Sequence, residues 1–305
     1  MNRPPRITLI AFGLLVLLGG SNAVAVRFSN LELPPLWGAA TRFIAAALIF
    51  WIMVLVRRIA LPRGRALVGV LIFGVMANAI NYALLYWALV RIQAGFAMVV
   101  GAFVPLLTLL FALAHGLEPF RWRGLIGALI AIGGIILAAG GGLENDVHLA
   151  SLIALIVAMA LLAEAPVILK LYPPSHPLAT NAIAVSVGAA ILLVLSLIAG
   201  EEWSLPTSPS TWISYAYLVL LGTVLLFYLY LVILSRWTAS ATNYAFLLFP
   251  VVTVIMAGWL LGEEVTVTFI IGGMIVLFGV WVGAFSGPAT MPAADNRPEP
   301  EELVA

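Results

Sequence analysis

The stretch Ala94–Gly134 is written a second time as Ala239–Gly279, 145 positions downstream. At that single offset Arg91 meets Arg236, Pro105 meets Pro250, Thr108 meets Thr253, Glu118 meets Glu263, Gly127 meets Gly272 and Gly134 meets Gly279. An apolar background matches Leu, Val and Ile by chance, but rarely Pro, Thr, Glu, Arg and Gly together, so the chain carries an internal duplication. Each copy reads as an apolar span with a proline near its middle, a short polar connection holding a glutamate, and a glycine-rich apolar span. Pro34 and Pro177 occupy matching places before an earlier span of each half, at a slightly different offset. The duplicated unit is therefore five spans long rather than two.

The solvent for most of this chain is lipid. Hydrophobic residues make up 64% and charged residues 9%, against about a quarter charged in soluble domains. Apolar runs of about 20 residues separated by short polar connections are the length that crosses a bilayer. In order they are Ile7–Val26, Pro35–Val56, Ala66–Leu89, Ile92–Ala114 and Trp122–Gly141, then Ala150–Leu169, Leu178–Ala199, Trp212–Leu234, Ala239–Leu261 and Val267–Phe285. Arg3, Arg6, the first apolar run and Ala23-Val24-Ala25 also satisfy a signal-peptide pattern, but removing that span would leave one repeat unpaired. Residues 1–141 form the first repeat, 142–149 a linker and 150–286 the second repeat. The stretch 287–305, rich in Pro, Ala and Glu, is expected to be a disordered tail.

Assigning loops alternately to two sides puts Arg3, Arg6, Arg57, Arg58, Arg63, Arg65, Arg121, Arg123, Lys170 and Arg236 on one side and only Arg27 and Arg91 on the other. The positive-inside bias makes the first side cytoplasmic. With five spans per half, the two copies are inverted relative to each other. The expected architecture is an all-α integral membrane protein of ten transmembrane helices in two inverted five-helix repeats, both termini cytoplasmic. Trp37, Trp87, Trp122, Trp203, Trp212, Trp237 and Trp259 fall near span ends, as an interfacial belt requires. A net charge of +1 and scattered basic residues give no reason to expect nucleic acid, and zero cysteines rule out disulfides and thiolate metal sites.

Polar residues inside the spans are the candidates for function. Asn78, Asn81, Tyr82, Leu85 and Tyr86 recur at three- and four-residue spacing and so share one face of the third span. Thr223, Phe227 and Tyr230 in the eighth, Asn243 and Tyr244 in the ninth, and Ser21 and Asn22 in the first could complete a substrate pocket, or simply bond helix to helix. Glu164 is the acid well inside a span and Arg42 the base; each costs at least about 2.5 kcal/mol at a helix centre unless paired or hydrated. Glu164 reads as a proton-coupling carboxylate or a partner for a substrate ammonium, or as a group reaching the cytoplasmic interface. Arg42 reads as a structural anchor near the outer boundary, too far from Glu164 for direct pairing. Pro105 and Pro250 each free the carbonyl four residues back, on Gly101 and Phe246, and are candidate gating hinges or static kinks. Repeated glycines, including Gly279-x-x-x-Gly283, pack helices closely. His115, His148 and His176 lie far apart in sequence. Nothing resembles a metal site, a nucleophile with its base or a phosphate loop, so no enzyme and no cofactor is expected.

The doubled Pro-x-x-Thr followed by Glu118 or Glu263, with Gly19-Gly20-Ser21-Asn22, Arg27 and Arg42, resembles the drug/metabolite transporter superfamily, specifically its bacterial EamA type. Within it the chain looks most like the aromatic amino-acid exporter branch typified by YddG. The resemblance implies two inverted five-helix repeats around a central cavity, and efflux of aromatic and other neutral amino acids across the inner membrane. Two departures show that the halves have specialised: His115-Gly116-Leu117 stands before the first glutamate where Leu260-Leu261-Gly262 stands before the second, and Arg42 has an apolar counterpart in the seventh span. The expected function is thus amino-acid export by alternating access. Export of drugs, nucleosides or other metabolites is the alternative, and a non-transporting assembly protein is the reading from another class. The expected partners are a small-molecule substrate and membrane lipids, with a monomer sufficient.

Overall fold

A computed structural model of the chain describes residues 6–117, 122–142, 149–262 and 266–285. Among these residues every regular element is helical. The rods are α1 (Arg6–Ser29), α2 (Pro35–Val56), α3 (Arg65–Leu89), α4 (Ala94–Ala114), α5 (Trp122–Gly142), α6 (Leu149–Lys170), α7 (Pro177–Ile198), α8 (Pro209–Arg236), α9 (Ala239–Asn243 continued by Ala245–Leu261) and α10 (Val267–Phe285). Eight of them, α1–α4 and α6–α9, are long and apolar enough to cross a membrane, and α10 contributes a shorter apolar segment, Val267–Gly279. Residues 143–148 of the expected linker, the expected tail, and the duplicated Glu118 and Glu263 lie outside the described residues.

Local chemistry explains where the helices begin and end. Pro35, Pro177 and Pro209 open α2, α7 and α8, where a missing N–H costs nothing and φ is already helical. Ser208 accepts the Thr211 N–H at 3.3 Å, and this cap starts α8 three residues before the expected Trp212. Gly116 and Gly262, at φ +70° and +65°, stop α4 and α9 in the left-handed conformation that glycine adopts without strain. The stops stand two residues before Glu118 and one before Glu263, the local reason the two copies differ there.

Two glutamates brace one face of the bundle. Glu201, in the α7–α8 connection, accepts the Leu36 and Trp37 N–H groups at 3.0 and 2.7 Å and so caps α2. Glu32, in the α1–α2 connection, accepts the Thr207 and Ser208 N–H groups at 2.6 and 3.2 Å beside the start of α8. Each connection caps a helix of the other half, where carboxylates also complement the helix dipole. Trp37 stacks on Trp203 at 4.7 Å and donates to the Ser204 carbonyl at 2.7 Å on the same face.

Helix pairing is exchanged when the two halves are swapped. α5 packs against α10 and α2 against α7, each helix on its own counterpart; α1 packs on α9 as α6 packs on α4. The α5–α10 seam uses the duplicated glycines against one another. A Cβ on Gly134 would stand 2.7 Å from the Gly272 carbonyl oxygen, and one on Gly279 would stand 2.7 Å from the Gly127 carbonyl oxygen. These two contacts map onto each other at the 145-residue offset, the self-complementary pattern of a two-fold interface.

Gly134→Ala drives a methyl into backbone and is expected to cost about 1–3 kcal/mol, whereas Gly133→Ala meets open space and should raise stability by up to about 1 kcal/mol; thermal unfolding of the detergent-solubilised variants checks the sign at each position. The Ser208 side chain and the Thr207 amide pull the Glu32 carboxyl from its ordinary 4.5 down to about 2. A folded-state value below the unfolded one stabilises fully above the unfolded value and loses that contribution as pH falls toward the folded one. The melting-temperature gap between wild type and Glu32→Gln should therefore be constant above about pH 5 and close between 4.5 and about 2.

Candidate functional site

Where α1, α3, α4, α6, α7, α8 and α9 converge they leave a cavity of about 110 Å³. At about 10–15 Å³ per water by the same measure, that holds roughly seven to eleven waters or a small solute. Leu15, Met98, Met159, Leu162, Phe246 and Phe249 make much of an apolar wall. Polar atoms come from Asn22 on α1, Asn78, Asn81 and Tyr82 on α3, Asn181 on α7 and Tyr230 on α8. Among the described residues no charged side chain lines it. The shared face expected of the third span is present in α3: Asn78, Asn81, Tyr82 and Leu85 all face the cavity.

The four asparagines differ in how their amides are used. Asn81 is spent, donating to the Ala158 carbonyl at 2.7 Å and tying α3 to α6. Asn22 donates to the Gly222 carbonyl at 3.2 Å, but its Oδ1 is buried without a partner. Asn78 and Asn181, 3% and 1% exposed, each bury an Nδ2 without a partner. Leaving a buried amide unpaired costs about 1–3 kcal/mol per group, and all three orphaned atoms belong to residues of one cavity wall. Such atoms mark where a ligand or ordered water completes the bonding.

Other sequence candidates stand behind this wall. Tyr86 and Thr223 are fully buried and bond the Arg42 guanidinium. Asn243 accepts from Tyr230 Oη at 2.9 Å and donates to Thr108 Oγ1 at 2.8 Å, a chain that links α8, α9 and α4. Tyr244 lies half-buried at the joint of α9. Glu164 is outside the wall: its Oε1 meets His115 Nε2 at 2.6 Å, joining α6 to the end of α4. Histidines with no sequence-local partner thus include one with a tertiary partner 49 positions away. Arg42 is 0% exposed, packed inside the bundle.

The prolines differ between copies. In α4 the helix is interrupted at Ala102–Phe103 and restarts at Val104, so Pro105 sits in the first turn of the new segment. In α9 Pro250 lies within a continuous segment, and the interruption falls at Tyr244 instead. The threonines beside them behave alike. Thr108 donates to the Ala163 carbonyl of α6 at 3.2 Å, and Thr253 to the Gly20 carbonyl of α1. A second duplicated irregularity is a π-helical turn, Gly74–Ile80 in α3 and Leu220–Leu225 in α8. Such turns cluster at functional sites, and these two hold Asn78 and Gly222–Thr223.

Sequence reasoning passed over Asn181, Met98, Met159 and Phe249. A lone asparagine within the apolar run of α7 is the same signal that singled out Asn78, so Asn181 was findable. Met and Phe in a membrane span carry no such mark, since lipid-facing and cavity-facing positions share one composition.

A model of the EamA-like transporter family matches the chain twice, over residues 6–140 and 149–284. The "Uncharacterized inner membrane transporter YedA" of Escherichia coli strain K12 is 28% identical over 280 residues, spanning 90% of each chain, and the protein of the same description from Escherichia coli O157:H7 matches to the same extent. One solved crystal structure superposes with a TM-score of 0.68 at 17% identity, covering 92% of this chain and 98% of the other, a likeness of fold.

Bonded and orphaned amides should respond oppositely to removal. Asn243→Leu strands the Tyr230 hydroxyl and removes one of the bonds to Thr108, and is expected to lower stability by about 1–3 kcal/mol, whereas Asn181→Leu removes a donor that has no partner and should be neutral or stabilising. Thermal unfolding of the two variants in the same detergent checks the difference.

Proposed function

The chain belongs to the EamA-like transporter family, and on that premise we propose that it exports neutral amino acids, aromatic ones among them, across the bacterial inner membrane by alternating access. In this reading all ten rods cross the bilayer as two inverted five-helix repeats, with both termini cytoplasmic. The matching of each half to one family model, the exchangeable helix contacts and the basic residues of the alternate connections support that topology. The differing breaks in α4 and α9 are what an inverted pair shows when its halves hold different conformations, and Pro105 and Pro250 would permit the exchange.

The substrate class rests on the cavity. Its apolar and aromatic walls accept a hydrocarbon or aromatic side chain, and its unpartnered amide atoms offer one acceptor and two donors. A net-neutral zwitterion carries the complementary ammonium and carboxylate, while the absence of charged lining disfavours ions of one sign. Asn22, Asn78, Asn81, Tyr82 and Tyr230 contact the solute in this scheme, together with Asn181. Thr223, Tyr86, Asn243 and Tyr244 support that wall from behind. Glu164, held by His115 outside the cavity wall, serves coupling or closure rather than binding.

Purified protein in liposomes, given radiolabelled phenylalanine, threonine and methionine with and without a pH gradient, tests this. Saturable phenylalanine uptake above empty liposomes, competed by unlabelled phenylalanine, is expected. Flux of drugs or nucleosides with none of any amino acid overturns the substrate class, and no flux of any solute favours a non-transporting membrane protein.

A further inference from the structure

Arg42 is a cation buried to 0% exposure, and none of the ion pairs among the described residues includes it. Its partners are neutral: Nε donates to Thr223 Oγ1 at 2.6 Å, Nη1 to Tyr86 Oη at 2.9 Å and Nη2 to the Gly222 carbonyl at 2.7 Å. The rings of Tyr82 and Phe43 lie 5.4 and 5.7 Å from its central carbon. Aromatic faces and neutral oxygens soften the burial of a guanidinium, but they do not balance its charge, and a buried charge without a counter-ion is strongly unfavourable. Glu164, the acid within a span that could balance it, is taken by His115.

This charge stands one side chain from the cavity. Tyr82 lines the cavity and stands against the guanidinium, and Asn22, also in the wall, donates to the same Gly222 carbonyl that accepts from Arg42. A Cβ on Gly222 would stand 2.8 Å from Asn22 Oδ1 and 3.4 Å from Arg42 Nη2, so the orphaned amide oxygen and the uncompensated cation flank the same glycine without bonding each other. An acceptor and a cation side by side are the complement of an ammonium and a carboxylate on one carbon. A purely structural arginine needs neither the neighbouring orphan nor the adjoining cavity.

We propose that Arg42 is the carboxylate-binding subsite of this cavity, with Asn22 Oδ1 receiving the ammonium beside it; the identity of the ligand as an amino acid rests on the function proposed above, whereas anion binding at Arg42 does not. The carboxylate takes the place of Gly222 O and Thr223 Oγ1, with the Tyr82 ring turning aside to admit it. Both displaced groups belong to the π-helical turn Leu220–Leu225 of α8. The exchange releases that turn from α2, so the bound solute favours a different arrangement of α8 and loading is coupled to conformational change.

The test compares three probes on the full chain: phenylalanine, phenylalaninol, which lacks the carboxylate, and 3-phenylpropionate, which lacks the ammonium. Uptake competition in liposomes and ligand-induced thermal shift in detergent are the readouts, on wild type, Arg42→Lys and Arg42→Gln. Phenylalaninol is expected to compete with phenylalanine at least about tenfold more weakly on wild type, because the buried cation stays unpaired. Arg42→Gln should raise the KM for phenylalanine by a similar factor and erase the discrimination, with Arg42→Lys between. Equal competition by phenylalaninol on wild type overturns the proposal without any variant having to fold, as does a folded Arg42→Gln that keeps the wild-type KM. If wild type binds 3-phenylpropionate through Arg42 but neither binds nor carries phenylalanine, the amino-acid reading fails and the anion subsite stands. If neither ligand shifts the melting temperature, both fail.

Discussion

Hydrocarbon offers no hydrogen bonds, so every place where this chain departs from a regular helix has to be satisfied by the protein itself. The departures are few and paired: the interruptions in α4 and α9, and the π-helical turns in α3 and α8. Around them gather the buried side-chain bonds that cross between helices, from Thr108, Thr253, Asn22, Asn81 and Arg42. Regular helices supply the lipid-facing frame, and irregular backbone lines or backs the cavity. That division is the one a carrier needs, since a perfectly satisfied bundle would have no groups left to offer a solute.

The duplication imposes a second constraint. Two halves that each match one family model bury related surfaces against each other, and a self-complementary contact then recurs. Gly134 against Gly272 and Gly279 against Gly127 show this at backbone distance. The copies have nevertheless diverged at particular positions. Arg42 has no basic counterpart in α7, and the breaks accompanying Pro105 and Pro250 fall at different places.

Much of the fold was legible from residues because it depends on local or compositional physics. Span lengths follow from hydrophobic runs, helix starts from Pro35, Pro177 and Pro209, and helix stops from Gly116 and Gly262. The cavity-facing stripe of α3 was legible too, because helical periodicity places Asn78, Asn81, Tyr82 and Leu85 on one face. Periodicity cannot say what that face meets. Tyr86 shares the face with Tyr82, yet it is buried against Arg42, one turn beyond the cavity. Asn243 looked like a pocket amide and is consumed by Tyr230 and Thr108.

By itself the sequence determined that the chain lives in lipid, the order of its apolar spans and that the unit is written twice, since hydrophobicity and repetition are properties of the chain read in line. Only the tertiary structure decided which polar atoms are spent and which are left over. The Arg42 guanidinium finds its partners 44, 180 and 181 positions away, and whether a side chain bonds a neighbour or faces a cavity is set by how helices rotate and pack. In lipid that choice carries no compositional signature, because a satisfied amide and an orphaned one are the same residue.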